Sequence, residues 1–506
     1  MAGEHEAVEG PAFSHREILV ILSGVLLGMM LAALDQSIVA TALPAIASDL
    51  HGLADLSWIV AGYLLTSTAA TPIYGKLSDL YGRRALLQFA IAVFIAASLL
   101  CGLAQNIAEL VAARALQGLG GGGLISMAQA VIADIIAPRE RGRYQAYMSG
   151  VWATASVGGP VLGGFFVDHL SWRWVFWINL PLGIAAFFLC RRALARLATP
   201  RSRRPIDYPG AILLTAAVAD LLLLVTWGGS TLPWTSPRLI FLAVAAPPLL
   251  FAFILQELRA SDPILPPRLF INPVIGGANL ASFIVSMAMF GGVLLLPVFL
   301  QLVTGVGAGH SGVLLIPLMG GSVVGAFTSG QMMRRTGYYK RYALSGLVMS
   351  TLAFALLATM DETTRPAVAM GYMALLGIGV GMSMPVMLVA VQNAAEPRDI
   401  GVATASVAFC RSLGGAFGAA ILWSVLLIAL GHRLGGAALA GNLLEGADTT
   451  ALTAAQRAVL VPALVPAFHL VFAIAALIAA ASAVATLFLK ELPLRTTPRT
   501  GAAPSR

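Results

Sequence analysis

Two acids stand inside long apolar stretches of this chain, and they are the residues best placed to do chemistry. Asp35 lies in LDQSIVATALP (34–44) and Asp220 in AVADLLLLV (217–225). Of 23 Asp and Glu residues, only these two sit well inside apolar segments; Asp79, Asp134 and Glu140 fall at segment ends. A carboxylate held in such surroundings is expensive and by default functional. Loss of hydration favours its neutral form, so taking up and releasing a proton is chemistry that it can do. Gln36, Ser37 and Thr41 flank Asp35 and suggest a cavity-facing segment, where it would bind a proton or a cationic substrate in competition with one. A hydrogen-bonded structural acid is the plainer alternative. Asp220 has no polar neighbour, and a second proton site, a partner for another helix and a neutral buried acid all stay open for it. The matching cations are Arg114 and Arg411. Arg114 and Gln117 are three residues apart, so they share one helix face. The simplest reading of both arginines is an ion pair with an acid that spacing alone does not identify.

The elements that hold these residues are membrane helices. The chain has 506 residues, of which 58% are hydrophobic and 11% charged, with a mean hydropathy of +0.86. A soluble domain carries roughly 25% charge, so there is no polar surface here to wet a globule of this size. Runs of about 20 apolar residues span a bilayer. They occur at 18–40, 53–74, 85–104, 108–131, 144–166, 174–192, 209–227, 238–256, 275–300, 312–332, 342–360, 367–392, 402–430 and 468–489, fourteen in all. With the N-terminus cytoplasmic, 24 of the 31 Lys and Arg residues fall inside, five outside, and Arg114 and Arg411 within helices. That bias obeys the positive-inside rule. It places both termini in the cytoplasm and makes the net charge of +8 a topology signal, not a nucleic-acid surface. The basic stretch 191–204 also suits contact with anionic membrane lipid. The polar, acidic N-terminus has none of the parts of a signal peptide, so the first span is expected to be retained. The three cysteines lie in apolar segments and suggest no disulfide framework.

The chain also repeats itself. Gly75, Asp79 and Gly82 of GKLSDLYGRR (75–84) are matched by Gly330, Arg334 and Gly337 of GQMMRRTGYYKR, 255 residues on. APRERG (137–142) is matched by EPRDIG, 259 on, and GGPVLG (158–163) by GGAFGA, 256 on. Two six-helix halves with a substrate site between them are a common transporter plan. Six helices per half leave two over, placed between the halves. The expected division is a cytoplasmic tail 1–17, an N-terminal half 18–192, a basic linker with two accessory helices 193–274, a C-terminal half 275–489 with an outer loop 431–467, and a cytoplasmic tail 490–506.

GKLSDLYGRR resembles the helix 2–3 loop signature of the major facilitator superfamily. RALQGLGGGG (114–123) is similar to its helix 4 motif, and GVWATASVGGPVLGG (150–164) to the helix 5 motif associated with antiporters. LDQSIVATALP and WRWVFWINLP (172–181) resemble motifs of its fourteen-helix drug:proton antiporter family. The resemblance implies an all-α integral membrane protein that exports small lipophilic, often cationic compounds in exchange for protons. A dedicated exporter of a metabolite, such as a siderophore or lipid intermediate, is the alternative. It further implies that the 75–84 loop locks onto the helix starting near Val402. Asp79 would be the anionic cap there and Arg83 its charge partner, with Gly75 and Gly82 permitting close approach. Lys76, Arg83 and Arg84 also serve the simpler end of setting topology. By the same resemblance Arg114 lies near the proton path and modulates the acid. Gly158, Gly159, Pro160 and Gly163 would form a pliable seal against proton leak; on the residues alone, tight packing explains them as well.

A bacterial cytoplasmic (inner) membrane protein is therefore expected, with protons and substrate as partners and room for a periplasmic adaptor protein. GLGGGG (118–123) fits G-x-G-x-x-G, but that fingerprint is meaningful only between a strand and a helix. With no phosphate-binding loop and no His/Cys cluster at metal spacing, neither a cofactor nor ATP hydrolysis is expected, and the chain is not read as an enzyme. Trp172, Trp174 and Trp177 read as an interfacial belt.

Overall fold

A computed structural model describes residues 15–50, 56–196, 205–228, 232, 234–306, 312–434 and 454–495. Among them, fourteen helical regions of 18 residues or more follow in order. These are α1 (His15–Leu50), α2 (Leu56–Tyr81), α3 (Arg83–Leu103), α4 (Ile107–Ile135), α5 (Pro138–His169), α6 (Trp174–Ala193) and α7 (Tyr208–Trp227). They continue as α8 (Pro237–Arg259), α9 (Pro273–Leu302), α10 (Ile316–Thr336), α11 (Lys340–Leu357), α12 (Pro366–Ala394), α13 (Ile400–Leu434) and α14 (Ala454–Leu487). Twelve helices among the described residues are long and apolar enough to cross a membrane. α2 and α11 fall outside the twelve, being diluted by Ser and Thr and carrying charges at their ends.

The helix ends carry the signals that helix termini need. Asn106 Oδ1 accepts from Glu109 N at 2.9 Å to cap α4, and Asp207 and Asn272 cap α7 and α9 in the same way. Such caps satisfy backbone N–H groups that no preceding turn can reach. Several boundaries differ from expectation; α1, for one, runs on to Leu50. The stretch 75–81 is the last two turns of α2, so the expected loop shrinks to Gly82. α14 begins at Ala454, well before 468, and α13 runs on to Leu434. Residues 435–453 of the expected outer loop, like 197–204 of the basic linker, lie outside the described residues.

One packing pattern occurs twice. α1 packs on α5 and α6, α3 on α4 and α6, and α2 on α4. Eight helices on, α9 packs on α13 and α14, α11 on α12 and α14, and α10 on α12. Buried apolar side chains gather accordingly. One core is centred on α9–α14, around Phe299, Phe354, Phe468 and Phe472, and others lie within α1–α6, around Phe94 and Phe176. The two groups meet where α2 packs on α13 and α5 on α10. α7 and α8 pair with each other, and α7 rests on α2 and α13. Outward-facing positions stay apolar, as Phe241, Val244 and Phe251 of α8 show. Water does not drive helices together in lipid, so close backbone approach has to. The GLGGGG run serves that end: its glycines seat α4 against Tyr63 and Ser67 of α2 and Ala90 of α3.

The repeat is also visible in the backbone. Gly82 (φ 90°) and Gly337 (φ 76°) end the two equivalent turns in a region that L side chains avoid. Gly82→Ala is expected to cost about 1–2 kcal/mol. Gly164→Ala, inside α5 with open space around it, should be neutral or slightly stabilising. Thermal unfolding of the detergent-purified variants reads both; equal midpoints for the two would contradict the assignment.

Candidate functional site

The buried polar centre lies among α1, α2, α3, α4 and α6. Asp35 is 0% exposed and Arg114 is 2% exposed. Arg114 Nη1 donates to Asp35 Oδ2 at 2.5 Å and to Gln117 Oε1 at 2.6 Å. Gln117 Nε2 donates to Asp35 Oδ1 at 2.8 Å and to Ser98 Oγ at 2.7 Å. Asn179 Nδ2 donates to Asp35 Oδ1 at 2.9 Å. The guanidinium lies 4.4 Å from the Tyr63 ring centroid, and its Nε donates to Ile59 O at 3.3 Å. Asp35 thus holds one ion pair and two amide donors, and the arginine face is covered by an aromatic ring. A charged pair out of water survives only when its remaining lone pairs and protons are satisfied like this.

Several placements differ from the sequence reading. Asp35 does not face an open cavity; the helix face of Arg114 and Gln117 closes over it. The acid that spacing could not identify for Arg114 is Asp35. Asn179 and Ser98 were not singled out. Asn179 stands inside WRWVFWINLP, where the tryptophans drew attention, and a lone Asn in that run was the available signal. The belt reading of the tryptophans needs correcting. Trp172 is 5% exposed and donates to Asp49 Oδ2 at 2.8 Å, and Trp177 packs over Gly102. Only Trp174 is exposed, because the start of α6 turns inward to bring Phe176 and Asn179 to the charge pair.

A second constellation lies at the α2–α13 contact. Asp79 accepts from Gly401 N at 3.1 Å and Val402 N at 3.0 Å, the free donors at the start of α13. Arg83 Nη2 pairs with Asp79 at 2.5 Å, its Nε with Asp134 at 2.8 Å, and its Nη1 donates to Ser78. Gly75 lies against the backbone of Gly401, where a Cβ would clash. The equivalent contact joins α10 to α5. Gly330 lies against Gly142, Arg139 Nε donates to Arg334 O at 2.7 Å, and Arg334 pairs with Glu140 at 3.2 Å. Between the two, Arg141 of α5 reaches Gln392 of α12 at 3.4 Å, and Gln392 Nε2 donates to Gln129 O and Thr404 Oγ1.

In α5, Gly159 and Gly163 seat on Ser37, Ile38 and Thr41 of α1, and Ser37 Oγ donates to Ala155 O at 2.7 Å. Gly158 faces open space and Pro160 is exposed. Asp220 is buried on α7 with Oδ2 lacking a hydrogen bond. Arg411 makes no ion pair with an acid among the described residues, and its Nε lacks a hydrogen bond.

If the Asp35–Arg114 pair carries the electrostatic weight of this centre, Arg114→Met should lower the thermal midpoint markedly. Breaking a buried pair costs about 3–5 kcal/mol. Asp35→Asn added to Arg114→Met should restore most of it, because no charge is then left unmatched. Additive losses in the double variant would count against the pairing.

The family model of the Major Facilitator Superfamily matches residues 25–419. An uncharacterised MFS-type transporter of Mycobacterium tuberculosis is 39% identical over 85% of this chain and 63% of its own length. The chain therefore spans less than two thirds of that relative. The multidrug transporter protein MdtP of Bacillus subtilis is 38% identical over 82% of this chain and 76% of its own. The human organic anion transporter MFSD10 shares the fold, with a TM-score of 0.61 and 14% identity over 91% of this chain and 99% of its own.

Proposed function

For a chain that belongs to the Major Facilitator Superfamily, we propose proton-coupled export of small lipophilic, often cationic compounds across a bacterial cytoplasmic membrane. The observation that carries this reading is the Asp35–Arg114 pair: a fully buried carboxylate held by a cation that cannot give up its own proton. Protonation of Asp35 turns the ion pair into an ordinary hydrogen bond and frees Arg114. A cationic substrate can displace the guanidinium from Asp35 in the same way, so proton and substrate compete for one carboxylate. Relatives named as a multidrug transporter protein and a multidrug resistance protein, both of Bacillus subtilis, support the cargo class.

The repeated packing pattern supports two six-helix halves, α1–α6 and α9–α14, with α7 and α8 as accessory helices and all fourteen helices crossing the membrane. The distribution of basic residues supports cytoplasmic termini. On that topology both interhelical constellations lie at the cytoplasmic ends, and together they hold the cytoplasmic side closed. Asp79 capping α13 is the first latch. The Arg334–Glu140 contact is a charge-reversed second one. Opening inward requires both to part. An adaptor protein remains compatible with an outward release of cargo.

Reconstituted vesicles with an imposed pH gradient test the reading. A fluorescent lipophilic cation and protons should move in opposite directions, and Asp35→Asn should abolish both fluxes. Cation movement that ignores the gradient, or survives the substitution, would sink the coupling site. Asp79→Asn should lower transport by roughly tenfold, the loss of about 1.4 kcal/mol from the closed latch, while leaving membrane insertion intact. Transport at the wild-type rate would remove the latch.

A further inference from the structure

A pair of acids outside the Asp35 site has no explanation in the mechanism above. Asp207, just before α7, is 8% exposed, and Glu257, near the end of α8, is 3% exposed. Each is half satisfied. Asp207 Oδ1 accepts from Gly210 N at 3.0 Å and Gln256 Nε2 at 2.8 Å. Glu257 Oε2 accepts from Leu265 N at 2.9 Å. The other two oxygens, Asp207 Oδ2 and Glu257 Oε1, are buried and have no donor. Both converge over Gly210, where a Cβ would strike one and then the other. Two buried carboxylate oxygens without donors therefore face the same small space over Gly210.

Among the described residues, the charged groups around the pair donate to neither oxygen. Lys76 of α2 is the cation acting on Glu257, and it is engaged with Asp262 at 2.5 Å. Asp262 comes from the connector between α8 and α9 and so ties that connector to α2. Two like charges at close range out of water do not both ionise; one keeps a proton and becomes the donor that the other lacks. We propose that Asp207 and Glu257 form a proton-binding site, holding one shared proton at the cytoplasmic ends of the accessory helices.

The site is wired to the first latch. Glu257 holds the connector through Leu265 N. The connector then reaches Lys76, three residues before Asp79, through Asp262. It reaches Asp399, two residues before Gly401, through Arg268, whose Nη2 lies 3.0 and 2.9 Å from the two carboxylate oxygens. One strap thus grips both partners of the latch, α2 and the start of α13. The shared proton keeps Glu257 in place and the strap seated. Its loss sets Glu257 against Asp207 and loosens the strap. The sign is fixed: an acidic cytoplasm favours the closed latch, and that stabilisation fades as pH rises. This last link rests on the latch reading above; the proton site does not.

Infrared difference spectra of the full chain in lipid nanodiscs, titrated from about pH 5 to about pH 9, the range in which buried carboxyls titrate, test the site. An Asp35→Asn background removes the coupling acid. A protonated-carboxyl band should bleach as pH rises, and should be absent in Asp35→Asn/Glu257→Gln and altered in Asp35→Asn/Asp207→Asn. A band that is unchanged by both amides, or that sodium removes at constant pH, would overturn the proposal. Each amide supplies the donor that the shared proton supplies, so both variants should fold; a collapsed amide variant would also overturn it. Spin labels on Tyr81→Cys and Arg398→Cys read the latch in the same samples. The closed population should fall with rising pH in the Asp35→Asn background and lose its pH dependence with Glu257→Gln. A pH-sensitive band with a pH-independent latch would overturn the wiring and leave the site.

Discussion

A charge inside a membrane protein must be matched within reach of its own side chain, because neither lipid nor water will do it there. The Asp35–Arg114 contact meets that demand, and the α1–α6 packing can be understood from it. An unmatched carboxylate or guanidinium out of water costs several kcal/mol. Five helices supply the match: α1 the acid, α4 the cation and an amide, α6 a second amide, α3 a hydroxyl, and α2 a carbonyl and an aromatic face. α4 can pass through the middle because its glycine run lets α2 and α3 close on it. No acid lies within α9–α14 to perform the same service for Arg411. The electrostatic centre is therefore one-sided, although the helix packing is repeated.

The repeat has a second consequence, at the helix ends. The two copies of the Gly–x6–Gly turn do not meet each other; each meets the other copy's helix start. Gly75 of the first copy seats on Gly401, and Gly330 of the second seats on Gly142. The exchange places EPRDIG under GKLSDLYGRR and APRERG under GQMMRRTGYYKR. In the first contact the acid sits on the turn and caps the helix. In the second the turn carries Arg334 and the helix carries Glu140. The first pair is largely buried and bonded to backbone N–H groups, whereas the second is half exposed and screened. On the proposed latch reading, the weight of closure falls on Asp79, and the second contact contributes chiefly through backbone packing and the Arg139 donors.

Much of this was legible in the sequence, and the limits are instructive. Helix positions followed from apolar length alone. Asp35, Arg114 and Gln117 stood out because a polar group in an apolar run is rare enough to be noticed, whereas Asp79 and Arg83 stood out through the resemblance of GKLSDLYGRR to a known loop signature. What spacing could not show was contact between segments far apart in the chain. Asp35 and Arg114 are 79 residues apart, and Asn179 is 144 from the acid. Asn179 was hidden by its neighbours, since aromatic residues near a span end have a ready interfacial explanation. Glu257 was hidden by its position at a helix end, where a charge is unremarkable until both its burial and its missing donor are known. The tryptophans misled for the same reason: an amphipathic ring suits an interface and a packed core equally well, and only the Asp49 acceptor decides for Trp172.

Distance between the Asp35–Arg114 pair and the two proposed latches is bridged by single helices. α2 touches Arg114 with Ile59 and Tyr63 and carries Asp79 in its last turn, twenty residues after Ile59 and about 30 Å away at the rise of an α-helix. α5 touches α1 at Ser37, two residues past Asp35, and begins at the contacts of Arg139 and Glu140 with Arg334. Each proposed latch thus sits on a helix that also packs at or beside the charge pair, α2 on Arg114 itself and α5 on Ser37 of α1. On the proposed mechanism, release of Arg114 from Ile59 O would let α2 tilt, and a small tilt would break a cap whose geometry depends on two backbone N–H groups. Such coupling needs no relay of side chains through the intervening core; it needs only that α2 stay rigid. Pro72 removes one backbone hydrogen bond within that helix, so the segment between Tyr63 and Asp79 is where rigidity is weakest and where the accessory helix α7, packed on Leu65, Ala69 and Ile73, gives it support.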